Sequence, residues 1–433
     1  SGDCVRRLGP QQLVTEPSTL APLMTSTQRS ILAVAMLTQG IAVGLTVGIV
    51  PIFLEPLELA FDAPRTVIAG GQILIMLTLT IGSIVTGIVL DRGHVRAAML
   101  VGACGMISAQ VLASVAPNLW VLGLAAGLAG FSIPPLGPLT AGKLITHYFD
   151  QGRGRAMGLM SVGPPLGSGV FAALAGWLLL TTEWRDVFQL FAAIAAVVVV
   201  PLIVLIVPRH FDDVPAASDS SSDVGSAVES AAESGEGAST GQSMADVVRS
   251  PAFLWAGGMF AIVAGITTGW TVHIAAYLGA VGLDEATRSN VLAAQFWMGV
   301  PGSIVFGILA DRIGLKTLLF GSIATTAACY GAFSLEPAPV VVMGLSALVG
   351  FSMGGVIPLY MMLLGKTIGA ESLGRAMGLS NLMMLPVMST AVLVAASLFE
   401  SNGNYRFALT MFAIALLGGL VCLLGAHRSS RVA

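Results

Sequence analysis

Long apolar stretches alternate with short polar ones along most of the chain. Crossing a bilayer core of about 30 Å takes a helix of about 20 residues. Apolar runs of that order fall at 30–54, 66–90, 97–116, 119–147, 155–181, 186–208, 252–280, 287–310, 317–335, 338–367, 375–399 and 405–426. The runs are continuous and lack the period-2 alternation of a barrel strand. Lipid offers no partner to backbone N–H and C=O groups, so each run is predicted to be a helix that satisfies its own. The pattern predicts an all-α membrane protein of twelve transmembrane helices.

Residues 209–250 break the pattern. The stretch ASDSSSDVGSAVESAAESGEGASTGQS within them is Ser, Gly, Ala and acid, too polar to bury a core. It reads as a disordered acidic linker between a six-helix bundle at 30–208 and a second at 251–426, with a flexible arm at 1–29 and a tail at 427–433. The arm has no apolar core of the kind a signal peptide needs.

The two units repeat one another. GRAMGL at 154–159 returns at 374–379, GIVLDR at 87–92 returns as GILADR at 307–312, and GFSIPPLGPL at 130–139 returns as GFSMGGVIPL at 350–359. All three pairs share one offset of 220 positions. An even number of spans per unit keeps both copies in the same orientation, so they are expected to be pseudo-symmetric about an axis along the membrane normal.

Composition agrees with the membrane reading. The 433 residues are 55% hydrophobic and 10% charged, where soluble domains carry about 25% charged residues. The 52 glycines suit helices that approach closely, because lipid gives apolar side chains no reason to leave it. The net charge of −3 matters less than its distribution. All of the 20 Lys and Arg except Arg65, Arg185, Arg288 and Arg406 fall on one side if both termini are cytoplasmic, and the linker then lies on that side too. Trp120, Trp177 and Trp184 are predicted at the opposite, outer interface. Cys4, Cys104, Cys329 and Cys422 have no metal or redox spacing and read as small hydrophobes.

With these residues the chain resembles the major facilitator superfamily over nearly all of 30–426. The most specific marker is the loop between second and third helices. Its second copy has Gly307, Asp311, Arg312, Gly314 and Lys316; the first has Gly87, Asp91, Arg92 and Arg96, with His94 in place of the later glycine and Gly93 one position early, so a different turn is expected there. The resemblance implies that each loop Asp faces a helix start of the opposite half. Asp91 is then expected near Arg375–Gly378, and Asp311 near Arg155–Gly158. Free N–H groups and a partial positive charge at a helix start attract a carboxylate. Arg92, Arg155, Arg312 and Arg375 would complete a cytoplasmic latch.

Polar groups inside a membrane are costly and are candidates for function. No Asp, Glu, Lys or Arg falls in the middle of a predicted span. Neutral residues remain: Gln39 and Gln72, Thr140, Ser161 and its repeat partner Asn381, Thr267 and Thr271, Gln295, and Tyr360. Helices one, four, seven and ten line the central cavity in the superfamily, which implies Gln39, Thr140, Thr267, Thr271 and Tyr360 as lining residues; Gln295 and Asn381 complete the substrate-binding candidates. His273 shares a helix face with Trp270 and Tyr277. It reads either as a proton carrier or, preferably, as a satisfied structural residue near the outer interface. Pro134, Pro135, Pro138, Pro164 and Pro165 are predicted to break helices, which is tolerated where backbone lines a cavity or is buried in protein.

Two branches of the superfamily are similar. DVVRSPAFLWAGGMF before the seventh helix and HYFDQGRGRAMGL between the fourth and fifth resemble monocarboxylate porters, although the Arg that many of these carry in the eighth helix is missing from Val300–Phe306. GPPLGS at 163–168 resembles the fifth-helix motif of drug antiporters, but no membrane-buried acid accompanies it. No nucleophile–base pair, metal cluster or P-loop suggests an enzyme or an ATP-driven pump. The reading is a secondary transporter of a small organic solute, a monocarboxylate or related organic acid, working by rocker-switch alternating access; the alternative is a proton-coupled drug or multidrug efflux antiporter. The expected setting is the plasma (inner) membrane. The expected partners are the lipid bilayer and a small-molecule substrate, with a coupled proton left open, and neither nucleic acid nor a cofactor. The chain is expected to be a monomer.

Overall fold

A computed structural model describes residues 24–149, 153–208, 249–368 and 373–432. These residues form helices and short turns. Among the described residues, eleven helical spans are long and apolar enough to cross a membrane. The ninth predicted run is helical too, over Leu315–Phe333, but Lys316, Thr317, Ser322, Thr325 and Thr326 dilute its apolar content.

In the first half of the chain α1 (Ser26–Val43) passes through a π-helical turn, Gly44–Gly48, into α2 (Val50–Phe61). Thr25 starts α1 with a capping box: its hydroxyl accepts from the Gln28 N–H, and its own N–H donates to the Gln28 side chain. The π turn offers the Leu45 carbonyl to Gln110 Nε2 at 2.8 Å. Pro51, which has no N–H to return to Val47, keeps the helix irregular at the same level. Asp62 ends α2 in the left-handed region at φ 47°. Then follow α3 (Arg65–Asp91), α4 (Val95–Ser114), α5 (Leu119–Leu136), α6 (Pro138–Tyr148), α7 (Arg153–Met160), α8 (Gly163–Leu179), α9 (Trp184–Ile194) and α10 (Val200–Ile206). Breaks occur at two of the predicted places: Gly137–Pro138 divides α5 from α6, and α7 stops just before Gly163-Pro164-Pro165; Pro134 and Pro135 instead lie inside α5, which runs on to Leu136.

The second half contains α11 (Pro251–Ala280), α12 (Glu285–Ile313), α13 (Leu315–Phe333), α14 (Pro339–Gly354), α15 (Val356–Ile368), α16 (Leu373–Asn402) and α17 (Arg406–Val432). Asp284 caps α12, accepting from the Thr287 N–H and hydroxyl, and these bonds hold its carboxyl below the usual range. The expected difference between the two loop copies is present. Gly314 takes φ +94° directly after α12, whereas in the first copy Gly93 takes φ +81° one position earlier and α3 has already ended.

Packing repeats with the sequence. Helix α1 packs on α8 as α11 packs on α16, α3 on α5 as α12 on α14, and α4 on α5 and α9 as α13 on α14 and α17. Individual contacts follow the same offset. A Cβ on Gly82 would press on Phe131, and one on Gly302 on Phe351; a Cβ on Gly130 would overlap the Ile75 carbonyl, and one on Gly350 the Gln295 carbonyl. Glycine is needed there because the backbones themselves touch. Between the halves α3 lies against α16, α8 against α12, and α2 against α11. Large apolar side chains such as Leu205, Val340 and Val421 are exposed, as lipid-facing positions are. Trp120 and Trp177 are exposed, but Trp184 is buried against Phe61 and Phe188.

Candidate functional site

A cavity of about 240 Å³ lies between the two halves. The first half contributes Val47, Pro51, Gln72 and Pro165; the second contributes Thr267, Thr268, Thr271, Gln295, Phe296, Tyr330 and Met353 among others. Its irregular backbone has a cause in sequence: Val47 lies within the π turn, Pro51 cannot bond back to it, and Pro165 follows the break between α7 and α8.

Three of the seven predicted substrate residues meet at this cavity: Thr267, Thr271 and Gln295. The other four do not line it in this conformation. Gln39 donates to the Ala35 carbonyl of its own helix at 2.9 Å, and Thr140 is buried beside the Pro134 carbonyl. Tyr360 is buried, stacked on Phe260 and bonded to Ser380, while Asn381 is exposed. The side chains of Asp91, Arg155, Asp311 and Arg375 lie outside the described residues; Arg92 and Arg312 are exposed. At that end Lys143 donates to the Leu90 carbonyl, a cation at the C-terminus of α3.

Gln72 is the residue that sequence reasoning left out of the site. It is 1% exposed, and neither its Nε2 nor its Oε1 has a hydrogen-bond partner; Gln295 Oε1 is in the same position. Buried amides without partners are uncommon because each unsatisfied group is costly. The signal was a glutamine inside the apolar run 66–90, but the superfamily resemblance directed attention to other helices. Gln295 lies at the repeat position of Ile75, so the polar lining is not shared by the two copies.

The second group that sequence reasoning missed sits at the predicted outer end. Glu58 receives Arg65 Nε at 2.6 Å and Arg65 Nη2 at 2.8 Å. Arg65 Nη1 donates to the Tyr405 hydroxyl at 2.8 Å, and its guanidinium lies 4.1 Å from the Phe399 ring centre. Glu400 accepts from both the N–H and the hydroxyl of Thr66, capping α3 from the other half. Glu55 pairs with Arg288 at 2.7 Å. These charges escaped notice because α2 runs to Phe61, beyond the predicted edge at 54, so Glu55 and Glu58 lie on a helix end and not in a loop.

His273 is fully buried. Its Nε2 faces the Val392 carbonyl at 3.0 Å and its Nδ1 the Tyr405 hydroxyl at 3.3 Å. A carbonyl can only accept, so Nε2 carries the proton and Nδ1 accepts from Tyr405. Trp270 and Tyr277, predicted on the same face, join Tyr330, Tyr405 and Phe412 in an aromatic cluster beside it. Among the described residues no cluster of His, Cys, Asp and Glu could hold a metal ion.

A cavity between repeated halves, with polar side chains inside and bonds across one end, is suited to holding a solute and changing its exposure. The sequence profile of the Major Facilitator Superfamily matches residues 32–289 and 269–432. The chain belongs to the Major Facilitator Superfamily. It is a transporter and not an enzyme. Two similar members of the superfamily share the name Monocarboxylate transporter 13. The one from Bos taurus is 24% identical over 333 residues, covering 75% of this chain and 72% of that protein. The one from Rattus norvegicus is 24% identical over 341 residues, covering 78% and 74%. The resemblance to the monocarboxylate-porter-like branch is borne out.

Proposed function

We propose that this superfamily member is a twelve-helix carrier of two six-helix bundles, 30–208 and 251–426, that moves a small monocarboxylate or related organic acid by rocker-switch alternating access. The observation that carries the reading is the cavity between the halves, with Gln72 and Gln295, whose unpartnered amide atoms are buried, among its lining residues. The names of the two relatives support the solute class. The repeat of helix packing at one offset supports the two bundles, with Leu315–Phe333 as the ninth span.

In this reading the chain sits in the plasma (inner) membrane as a monomer, with both termini and segment 209–250 cytoplasmic. The bonds of Arg65, Thr66 and Arg288 across the halves hold the outer end closed. When they part, the halves rock, and the cytoplasmic latch of Asp91 and Asp311 on the opposite helix starts forms in their place. Among the described residues no acidic side chain lines the cavity, so the drug-antiporter alternative gains no support there.

The test is counterflow in proteoliposomes. Vesicles preloaded with unlabelled butanoate should transiently accumulate labelled butanoate, with saturation. Uptake that never saturates and ignores the internal load would point to a pore or to leakage and end the carrier reading.

A further inference from the structure

A second cavity, of about 280 Å³, lies at the predicted outer end. Its walls come from both halves: Ile52, Pro56 and Leu59 of α2 and Trp184 of α9 on one side, Ala275 and Ala276 of α11 and the start of α12 on the other. The volume is near the lower bound for small-molecule sites, about 300 Å³.

Three charged side chains line it: Glu55, Glu285 and Arg288. Arg288 is already engaged. Its guanidinium lies against Gly279, where a Cβ would stand 2.6 Å from Nη1. Its Nε donates to the Leu283 carbonyl at 3.1 Å and its Nη1 to Glu55 Oε2 at 2.7 Å. Glu285 has no hydrogen-bond or ion-pair partner among the described residues. Thr182, also in the wall, donates its hydroxyl hydrogen to the Leu178 carbonyl at 2.8 Å and offers the cavity lone pairs only. With Glu55 and Arg288 set against each other, one negative charge is left over, on Glu285. An anion approaching the remaining Nη2 of Arg288 would meet two carboxylates.

The repeat supplies an independent pointer. At the offset of 220 positions, Glu285 corresponds to Arg65, and Leu179 of this wall corresponds to Phe399. In that copy the chain supplies its own cation: the Arg65 guanidinium lies 4.1 Å from the Phe399 ring centre, with Glu58 as its counter-charge. In the copy with Glu285 the sign is reversed, and the space beside Leu179 is a cavity.

We propose that this outer cavity is a binding site for a small organic cation, an ammonium group carrying a short apolar body. The ammonium sits by Glu285 and the second oxygen of Glu55, and the body lies against Ile52, Leu59 and Trp184. Because the wall is shared, the cavity loses one side when the halves part. A bound cation therefore favours the closed outer end, by as much as it prefers that state over the open one. The site is separate from the central cavity and does not depend on which solute is carried. Only the side of the membrane from which the cation arrives rests on the orientation proposed above.

Benzyltrimethylammonium is the probe, added to the purified full chain. Thermal stabilisation gives its apparent Kd. Occupancy is read from the labelling of Thr182→Cys by a neutral maleimide in a background without the native cysteines. Asp186→Cys, exposed at the same end and outside the cavity wall, is the control. The probe is expected to bind, to slow labelling at position 182 several-fold and to leave position 186 unchanged. Glu285→Gln is expected to weaken the probe about fivefold, as loss of a part-exposed charge pair would, and added salt is expected to weaken it in the unaltered chain. The labelling rates decide the matter even if Glu285→Gln fails to fold. Labelling at position 182 that ignores the probe, or a folded Glu285→Gln variant with undiminished affinity, overturns this inference. The monocarboxylate reading then still stands or falls by counterflow alone.

Discussion

Arg65 and Tyr405 are 340 positions apart in the chain, yet an Arg65 N–H donates to the Tyr405 hydroxyl across the two halves at 2.8 Å. Tyr405 in turn donates to His273, and Arg65 is held in place by both carboxylate oxygens of Glu58. The chain of bonds has one direction, from the guanidinium through the phenol to the imidazole. Removing its middle member leaves an unpaired donor on one side and an unpaired acceptor on the other.

Tyr405→Phe keeps the ring stacked on Phe399 and deletes only the hydroxyl. Unpairing a buried polar group costs about 1–3 kcal/mol, which is about 5–150-fold in the ratio of closed to open outer end. A cysteine placed at Ala275, beside Glu55 and Arg288, should then react faster with a membrane-impermeant maleimide in a background without the native cysteines. An unchanged labelling rate would show that the hydroxyl takes no part in closure.

The two ion pairs at this end should differ in weight. Arg65 and Glu58 side chains are 10% and 17% exposed, whereas those of Arg288 and Glu55 are 22% and 50% exposed. Removing one partner of a fully buried pair costs about 3–5 kcal/mol, an exposed pair contributes about 0.2–1 kcal/mol, and the part-buried Arg65–Glu58 pair falls between them. Glu58→Gln should therefore lower Tm clearly and Glu55→Gln barely. Added salt should erase the smaller effect first. Equal shifts in Tm would contradict this ranking.

Gly350→Ala puts a methyl group into the Gln295 carbonyl, and backbone cannot turn away as a side chain can. Overpacking of this kind costs about 1–3 kcal/mol, so the variant should melt lower and bind solute more weakly through displacement of α12. Gly331→Ala, with nothing within 4 Å of the added carbon, should melt no lower than the parent. The comparison fails if both variants behave alike.

Gln39 and Gln72 look equivalent as letters inside apolar runs. Gln39 donates to its own helix, while both amide atoms of Gln72, a residue of the cavity wall, are buried without a partner. Gln72→Leu should raise the half-saturating concentration for counterflow by on the order of tenfold, and Gln39→Leu should change it far less. The reverse order would move the solute site toward α1.

Much of the architecture was readable along the chain. A run of about 20 apolar residues has one solution in lipid, a helix, whatever its neighbours do, and the eleven apolar helices agree with it. The repeat at one offset was visible as letters and returns as paired contacts, Gly130 on Ile75 and Gly350 on Gln295. The expected difference between the Gly93 and Gly314 turns was local and therefore legible: φ beyond +80° in both cases needs glycine at that position.

The site was less legible. Thr267, Thr271 and Gln295 reach the cavity, but Gln72 does so as well, and nothing in its own run separates it from Gln39. A polar side chain in a membrane helix can turn back on its own backbone or outward to a neighbour, and the choice depends on what stands opposite. The sequence by itself determined the helices, their repeat and the superfamily, because those follow from local hydrophobicity and from motifs carried within single segments. Only the tertiary structure decided which glutamine was left without a partner and which outer charges cross between halves. Both are relations between residues far apart in the chain, set by how the helices pack.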